Sequence, residues 1–300
     1  MKSPLAHASG VMFFLPATVG QRLCVYHAPP PNEPVRAAML YVPPFGDEMN
    51  KSRRMAAMQA RAFARNGIAV LLIDLYGCGD SSGDFADARW EIWKDDLALA
   101  HTWLADHSDA RVMLWGTRLG ALLALDYARQ AVRPVNRFLF WQPVLSGEIY
   151  MTRILRIRLA NEMLGAESGG VGTDIDEAQH AGSRSTSKLR EALRQGQSLE
   201  VAGYEIAPAL ANAIDTASAA GLAPVGATVD WFEIVAEPGR TVPPASLAMV
   251  RGWKDEDVDL RTHCLTGAPF WSTPEIAECA ALIAASLDAF TFDFSCSQSR

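Results

Sequence analysis

The hydrophobic positions of this 300-residue chain change their spacing several times, and each change predicts a different element. Short continuous apolar runs are typical of strands buried on both faces, whereas apolar positions three and four apart are typical of helices. The predicted strands are Gly10–Ala17, Arg22–His27, Ala37–Val42, Ile68–Asp74, Arg111–Trp115, Arg137–Gln142, Val229–Ala236 and Val258–Leu265. The predicted helices between and after them are Lys51–Asn66, Trp90–His107, Gly120–Gln130, Ala245–Trp253 and Thr273–Phe290.

This alternation of strands and helices predicts an α/β fold, with a mostly parallel, doubly wound central sheet of about eight strands flanked by helices. The alternation stops after the sixth strand. Helical spacing alone follows there, over Tyr150–Leu164, Thr186–Arg194 and Pro208–Ala219. A loose Gly-rich stretch, Glu167–Thr173, lies between the first two of these patterns. We therefore predict a core formed by residues 1–145 and 225–300, with a helical cap or lid, residues 146–224, inserted after strand 6.

Composition narrows the class of protein. A chain that is 49% hydrophobic and 20% charged is typical of a soluble globular protein with a large core. Its net charge of −7, without a long basic tract, argues against a nucleic-acid partner. No apolar run reaches the ~20 residues of a membrane span. Lys2 and the short apolar run Val11–Leu15 fit a first strand better than a signal peptide.

The cysteines bear on the compartment and on metals. Five are scattered along the chain without a C-x-x-C pair, at Cys24, Cys78, Cys264, Cys279 and Cys296. This spacing favours reduced thiols in a cytoplasm over a disulfide framework or a zinc site. We predict a cytoplasmic protein with no metal and no cofactor.

A turn bounded by glycines ends the fifth strand, in the sequence Trp115-Gly116-Thr117-Arg118-Leu119-Gly120. Apolar strand, Gly-x-Xaa-x-Gly and apolar helix is the layout of a nucleophile elbow. Arg118 occupies the apex, where that chemistry requires serine, cysteine or aspartate. A guanidinium stays protonated and cannot attack a carbonyl. The turn predicts the scaffold of a hydrolase without its nucleophile.

The remaining catalytic positions are also altered. The acid belongs in the loop after Val229–Ala236, where Gly239 stands at the expected place and Glu237 is the nearest carboxylate. The base belongs just after the last strand, where Pro269 precedes Phe270-Trp271. His263 falls inside that strand, and we interpret it as a packed or edge-exposed strand histidine. Three replacements in separate loops favour a relaxed or redirected function.

The loop after the third strand is where oxyanion donors are expected. The first donor would be a backbone N–H near Phe45 or Gly46, and the second would be that of Leu119. Asp47 and Glu48 follow directly, and their charges oppose anion binding. We favour an ion pair between one of them and Arg118, because a partly buried guanidinium requires a partner. The alternative is that Arg118 receives a ligand carboxylate or phosphate.

Two further features have structural interpretations. The glycines of Asp74–Gly83 indicate a tight turn, in which Cys78 lacks an activating base and is predicted to be inert. The aromatic residues nearest the predicted site are interpreted as core and pocket wall: Trp90, Trp93, Trp103, Trp141, Phe270 and Trp271.

With these motifs in place, the chain resembles the α/β-hydrolase superfamily and, more narrowly, the group called exosortase A system-associated hydrolase 2. The resemblance is carried by Pro43–Met55, Asp74–Ser81, Gly116–Gly120 and Trp141–Gly147. It implies a bacterial cytoplasmic protein encoded near genes for exopolysaccharide synthesis and a protein-sorting system. It implies no established substrate, and the superfamily's Ser, Asp/Glu and His map to Arg118, Gly239 and Pro269.

Three functional hypotheses follow. The first is a non-hydrolytic member that binds an acyl or carboxylate ligand, or a partner protein. The second is an esterase-like or thioesterase-like hydrolase, or a transferase, with relocated residues: Ser81 or Ser272 as nucleophile, or Glu48 as a base towards water. The third is a scaffold that binds an exopolysaccharide-pathway protein through its cap.

Overall fold

The computed structural model describes residues 10–166 and 186–297. It contains ten strands: β1 Val11–Pro16, β2 Gln21–His27, β3 Ala37–Val42, β4 Ile68–Ile73, β5 Val112–Thr117, β6 Arg137–Trp141, β7 Leu199–Val201, β8 Tyr204–Ile206, β9 Thr228–Val235 and β10 Asp259–Thr266. Eight of them form one sheet in the order β1-β2-β4-β3-β5-β6-β9-β10. The predicted fold class is therefore confirmed.

The sheet is antiparallel at one side only. β2 pairs antiparallel with both β1 and β4, whereas every pair from β4 to β10 is parallel. The carboxyl ends of these parallel strands share one edge, where ligand sites of open α/β sheets form. The loops after β3, β5, β6, β9 and β10 meet at this carboxyl edge.

Helices cover both faces of the sheet. They are α1 Asp47–Ala64, α2 Trp90–Ser108, α3 Leu119–Ala128, α4 Gly147–Ala166, α5 over residues 186–194, α6 Pro208–Thr216, α7 Pro244–Asp255 and α8 Ala280–Ser297. Successive strand residues point to opposite faces. Leu40 and Leu114 accordingly pack in the cluster with α2 and α3, whereas Met39 and Trp115 pack in the cluster with α1 and α8. In the described part of the chain, no helix is both long enough and sufficiently apolar to span a bilayer.

The segment between β6 and β9, residues 142–227, is called the insert below. Its described residues form α4, α5, α6 and the hairpin β7–β8, and neither strand of that hairpin joins the eight-stranded sheet. Its three helical patterns are confirmed as helices. The hairpin escaped prediction because its strands have three residues each, although Ala202-Gly203, with φ of 49° and 82°, is a recognisable tight turn. The Gly-rich stretch Glu167–Thr173 lies outside the described residues.

Two helix starts differ from prediction by four residues or more. α1 begins at Asp47, not Lys51, because the carboxylates of Asp47 and Glu48 in its first turn complement the positive helix N-terminus. The predicted oxyanion loop therefore ends at Gly46. α8 begins at Ala280, not Thr273: Pro274 disfavours helical geometry at Thr273, and residues 275–279 are not helical either.

The close approach of α3 to β3 gives a test of this packing. A Cβ atom at Gly120 would lie 2.3 Å from the Val42 carbonyl oxygen and 2.5 Å from that of Pro43. We expect Gly120→Ala to lower the free energy of unfolding by about 2 kcal/mol, measured by urea denaturation. Gly252→Ala in α7 is the control, because no atom lies within 4 Å of its Cβ position. It should stabilise by about 0.5–1 kcal/mol, and equal losses in both variants would contradict the packing.

Candidate active site

The turn between β5 and α3 has the sharp geometry expected of an elbow. Arg118 sits at its apex with φ 54° and ψ −121°, a strained conformation for a residue other than glycine. Its N–H donates to the Trp141 carbonyl at 3.0 Å, and its carbonyl accepts from the Val144 N–H at 3.1 Å. Gly116 permits the tight fit, because a Cβ there would lie 2.4 Å from the Cα of Ala121. The backbone on both sides therefore fixes the apex.

The Arg118 side chain pairs with Glu48. The arginine is only 7% exposed, and its Nε and Nη2 each lie 3.4 Å from the Glu48 carboxylate. The predicted internal ion pair is thus confirmed for Glu48. Asp47 instead pairs with Lys51 at 2.7 Å along the surface of α1. Arg118 is held by the protein's own carboxylate.

Other groups enclose the guanidinium. Its Nη1 donates to the Gln142 carbonyl at 3.1 Å. The ring centroid of Trp271 lies 5.3 Å from the guanidinium carbon, and that of Tyr150 lies 5.9 Å away, both within range of cation–π attraction. Glu48, Gln142, Trp271 and Tyr150 therefore surround the guanidinium.

Tyr150 connects this pair to the insert. It lies in the first turns of α4, it is buried, and its hydroxyl donates to Glu48 Oε2 at 3.1 Å. Burial, followed by the nearby Glu48 charge, raises the pKa of Tyr150 well above its usual value. The phenol therefore keeps its proton and remains a donor. Glu48 joins the elbow of the core to the first helix of the insert.

A buried carboxylate beside the elbow was not predicted from the sequence. Glu233, 1% exposed on β9, accepts from Gln142 Nε2 at 2.6 Å and from the Trp231 indole at 2.9 Å. Gln142 has φ 44°, and its Oε1 accepts from the Ile234 N–H at 2.6 Å. An acidic residue within the otherwise largely apolar run of β9 was the available signal. The Gln142 side chain thus donates a hydrogen bond to the Glu233 carboxylate, and the Gln142 backbone carbonyl accepts one from Arg118.

The predicted acid position lies in an open loop. Gly239 is exposed with φ 83°, and no atom lies within 4 Å of where its Cβ would stand. Glu237 pairs with Arg240 at 3.0 Å in the same exposed loop. Neither residue contacts Arg118 in the described part of the structure.

The predicted base position is occupied by a turn. The Pro269 carbonyl accepts from the Ser272 N–H at 2.8 Å, and this turn brings Trp271 over Arg118. An indole, rather than an imidazole, reaches the elbow from the loop after β10. His263 stacks on Phe232 at 4.2 Å, and its Nε2 lies 3.2 Å from Asp230. β10 is the last strand of the sheet, and the His263 side chain is 29% exposed, so the interpretation as a packed or edge-exposed strand histidine is confirmed.

The alternative nucleophiles have structural contacts. The Ser81 hydroxyl donates to the Asp74 carbonyl at 2.6 Å and accepts from the Leu23 N–H at 2.8 Å. The Ser272 hydroxyl donates to the Pro269 carbonyl at 3.2 Å. Within the described ranges, neither hydroxyl bonds an imidazole or a carboxylate.

The thiol of Cys78 is buried in the turn after β4. Burial, with a further contribution from the charge of Asp74, raises its pKa well above the ordinary value. The thiol therefore stays protonated at neutral pH and is a poor nucleophile. This fits the prediction that Cys78 is inert.

The expected oxyanion donors flank the ion pair. Leu119 is the first residue of α3, and N–H groups in a helix's first turn lack acceptors within the helix. Gly46, with φ 55°, caps α1, and the Phe45 ring packs edge-on against Tyr150. The starts of α1 and α3 therefore converge where Glu48 meets Arg118.

A cavity of about 260 Å³ lies beside this cluster. The start of α1, helix α4, the hairpin β7–β8 and Trp271-Ser272 enclose it. Its aliphatic wall consists of Ile154, Ile157, Val201 and Ile206, and its charged lining of Asp47, Glu48, Lys51 and Arg153. Of the ion pair, Glu48 borders the cavity, and Arg118 is not among its described lining residues. The described residues contain no cluster of three His, Cys, Asp or Glu side chains suited to a metal ion.

Known proteins confirm the fold. A family model described as serine aminopeptidase, S33, matches residues 33–201, more than half of the chain. The chain belongs to the serine aminopeptidase S33 family. The chain has an α/β-hydrolase fold: a sheet of eight mostly parallel strands, helices on both faces, and the elbow after β5. No curated protein matches the sequence.

Three solved structures illustrate the shared fold. Est1E from Butyrivibrio proteoclasticus with ferulic acid bound is 14% identical, over 94% of this chain and 98% of that one, with a TM-score of 0.64. A carboxyl esterase from Bacillus coagulans is 14% identical, over 94% and 98%, with a TM-score of 0.61. Proline iminopeptidase from Mycobacterium smegmatis is 15% identical, over 93% and 97%, with a TM-score of 0.58.

The ion pair gives a stability prediction. Arg118→Met leaves the Glu48 carboxylate largely buried without its cation, and we expect a loss of about 3 kcal/mol in urea unfolding. Adding Glu48→Gln should recover much of that loss, because no unpaired charge then remains. Arg133→Met is the control, since its partner Asp106 and Arg133 are 53% and 51% exposed. That loss should stay below about 1 kcal/mol, and equal losses from Arg118→Met and Arg133→Met would refute the assignment.

Proposed function

We propose that this chain is a non-hydrolytic member of its family, which binds an acyl or carboxylate ligand in the cavity beneath the insert. The observation that carries the proposal is Arg118 at the elbow, neutralised by Glu48. A guanidinium has no lone pair to offer at working pH. An attacking oxygen or sulfur is needed at this position for acyl transfer.

The other catalytic positions support the same proposal. Gly239 and Pro269 stand where the sequence pattern places the acid and the base. None of the histidines within the described ranges contacts Arg118. The bonds of Ser81 and Ser272 to backbone groups do not favour a relocated serine nucleophile. Loss of nucleophile, acid and base together is best explained by selection for something other than hydrolysis.

The cavity supports ligand binding. Small-molecule sites are concave, mostly apolar and supplied with a few polar groups, and this cavity has an aliphatic wall with charged residues at one side. It borders Glu48, so a ligand there would lie next to the neutralised elbow. One structural neighbour, Est1E, was solved with ferulic acid, an aromatic carboxylic acid, bound to it. An organic acid is therefore a reasonable ligand class for this chain.

The cellular role is part of the proposal. The motifs Pro43–Met55 and Asp74–Ser81 support association with the exosortase and exopolysaccharide systems in the cytoplasm. A protein of the exopolysaccharide pathway is the proposed partner.

The proposal predicts no ester hydrolysis. The chain should not turn over p-nitrophenyl acetate or butyrate above the buffer rate, and intact-mass spectrometry should show no fluorophosphonate adduct. Arg118→Ser should stay equally inactive, because Pro269 supplies no base. A carboxyl esterase assayed alongside is the positive control. Robust turnover that a single substitution at Ser272 or Glu48 abolishes would overturn the proposal and favour a relocated active site.

A further inference from the structure

The charges around the cavity do not cancel. Asp47 pairs with Lys51, and Glu48 pairs with Arg118 behind it. Arg153 differs from these residues, because within the described ranges no carboxylate lies at ion-pair distance from its guanidinium. Among the described residues, one positive charge without an ion-pair partner therefore borders a cavity whose other charges are paired.

The position of Arg153 separates this charge from the elbow. Arg153 follows Tyr150 by three residues on α4, so it lies about one turn further along the helix. Arg153 is exposed, whereas the neighbouring Ile154 is only 8% exposed. The exposed Arg153 borders the cavity together with the buried wall residues Ile154, Val201 and Ile206.

We infer that Arg153 binds the head group of an amphipathic carboxylic acid whose hydrocarbon tail occupies the cavity. This inference rests on the proposed function and names the ligand class and its orientation. Charge-assisted contacts between arginine and carboxylate are among the stronger hydrogen bonds of proteins. Packing of the tail against Ile154, Val201 and Ile206 removes apolar surface from water, and this burial stabilises the bound ligand.

The carboxylate would point away from the elbow. Glu48 already satisfies Arg118, and its negative charge repels a second carboxylate there. The cavity volume of about 260 Å³ admits a hydrocarbon tail, and the probes below carry a tail of eight carbons.

The test is isothermal titration calorimetry of the full chain with octanoate, 1-octanol and octylammonium. These probes share one tail and differ in head-group charge. Octanoate should bind about tenfold more tightly than 1-octanol, and octylammonium should bind most weakly. Arg153→Glu should reverse this order, because it places a negative charge beside the cavity.

Arg156→Glu is the matched control. Arg156 is exposed on the same helix, and its substitution by glutamate changes the charge by the same amount. It is not among the residues that line the cavity. The Arg156→Glu variant should rank the three probes by affinity as the unsubstituted chain does. Circular dichroism should show that both variants are folded. Equal affinity for octanoate and 1-octanol, or equal effects of the two substitutions, would overturn the role of Arg153 while leaving ligand binding intact. Absence of binding by all three probes would overturn both this inference and the proposed ligand class.

Discussion

The contact between Arg118 and Glu48 is the constraint on which the site depends. Backbone bonds fix Arg118 at the apex of a strained turn, where its side chain is almost completely enclosed. A cation in such surroundings requires a negative partner, because desolvation without one would cost several kcal/mol. Glu48 supplies that charge from the first turn of α1, where a carboxylate also complements the helix N-terminus.

One carboxylate thereby organises three parts of the molecule. It neutralises the elbow, accepts the Tyr150 hydroxyl from the insert, and forms part of the cavity wall. Through Glu48, Arg118 at the apex of the elbow helps to fix the insert over the sheet edge. A single set of contacts therefore joins the apex of the elbow to the insert. This arrangement leaves the cavity as the accessible feature of the site.

Much of this organisation could be predicted from the sequence. Buried strands appear as continuous apolar runs, and Gly116 and Gly120 mark the elbow because only glycine fits so close to β3 and α3. The pairing of Arg118 with Asp47 or Glu48 followed from the energetics of buried charge. The order of strands in the sheet, by contrast, is set by long-range pairing that local patterns do not encode.

Other features depended on tertiary packing. The hairpin β7–β8 is too short to show alternation, and Glu233 finds its partner only because Gln142 adopts φ 44° at the end of a neighbouring strand. The choice of Glu48 over Asp47 follows from which face of α1 turns toward the elbow. Both carboxylates were predicted to lie in a loop, so the sequence alone could not distinguish them.

The most direct measurement is hydrogen exchange at the Arg118 guanidinium, followed by the Nε–H resonance in nitrogen-15 NMR spectra. The account predicts a slowly exchanging Nε–H that loses its protection in the Glu48→Gln variant, because Glu48 is its acceptor. An Nε–H that exchanges as rapidly as those of exposed arginines, and does not respond to that substitution, would contradict the neutralised elbow.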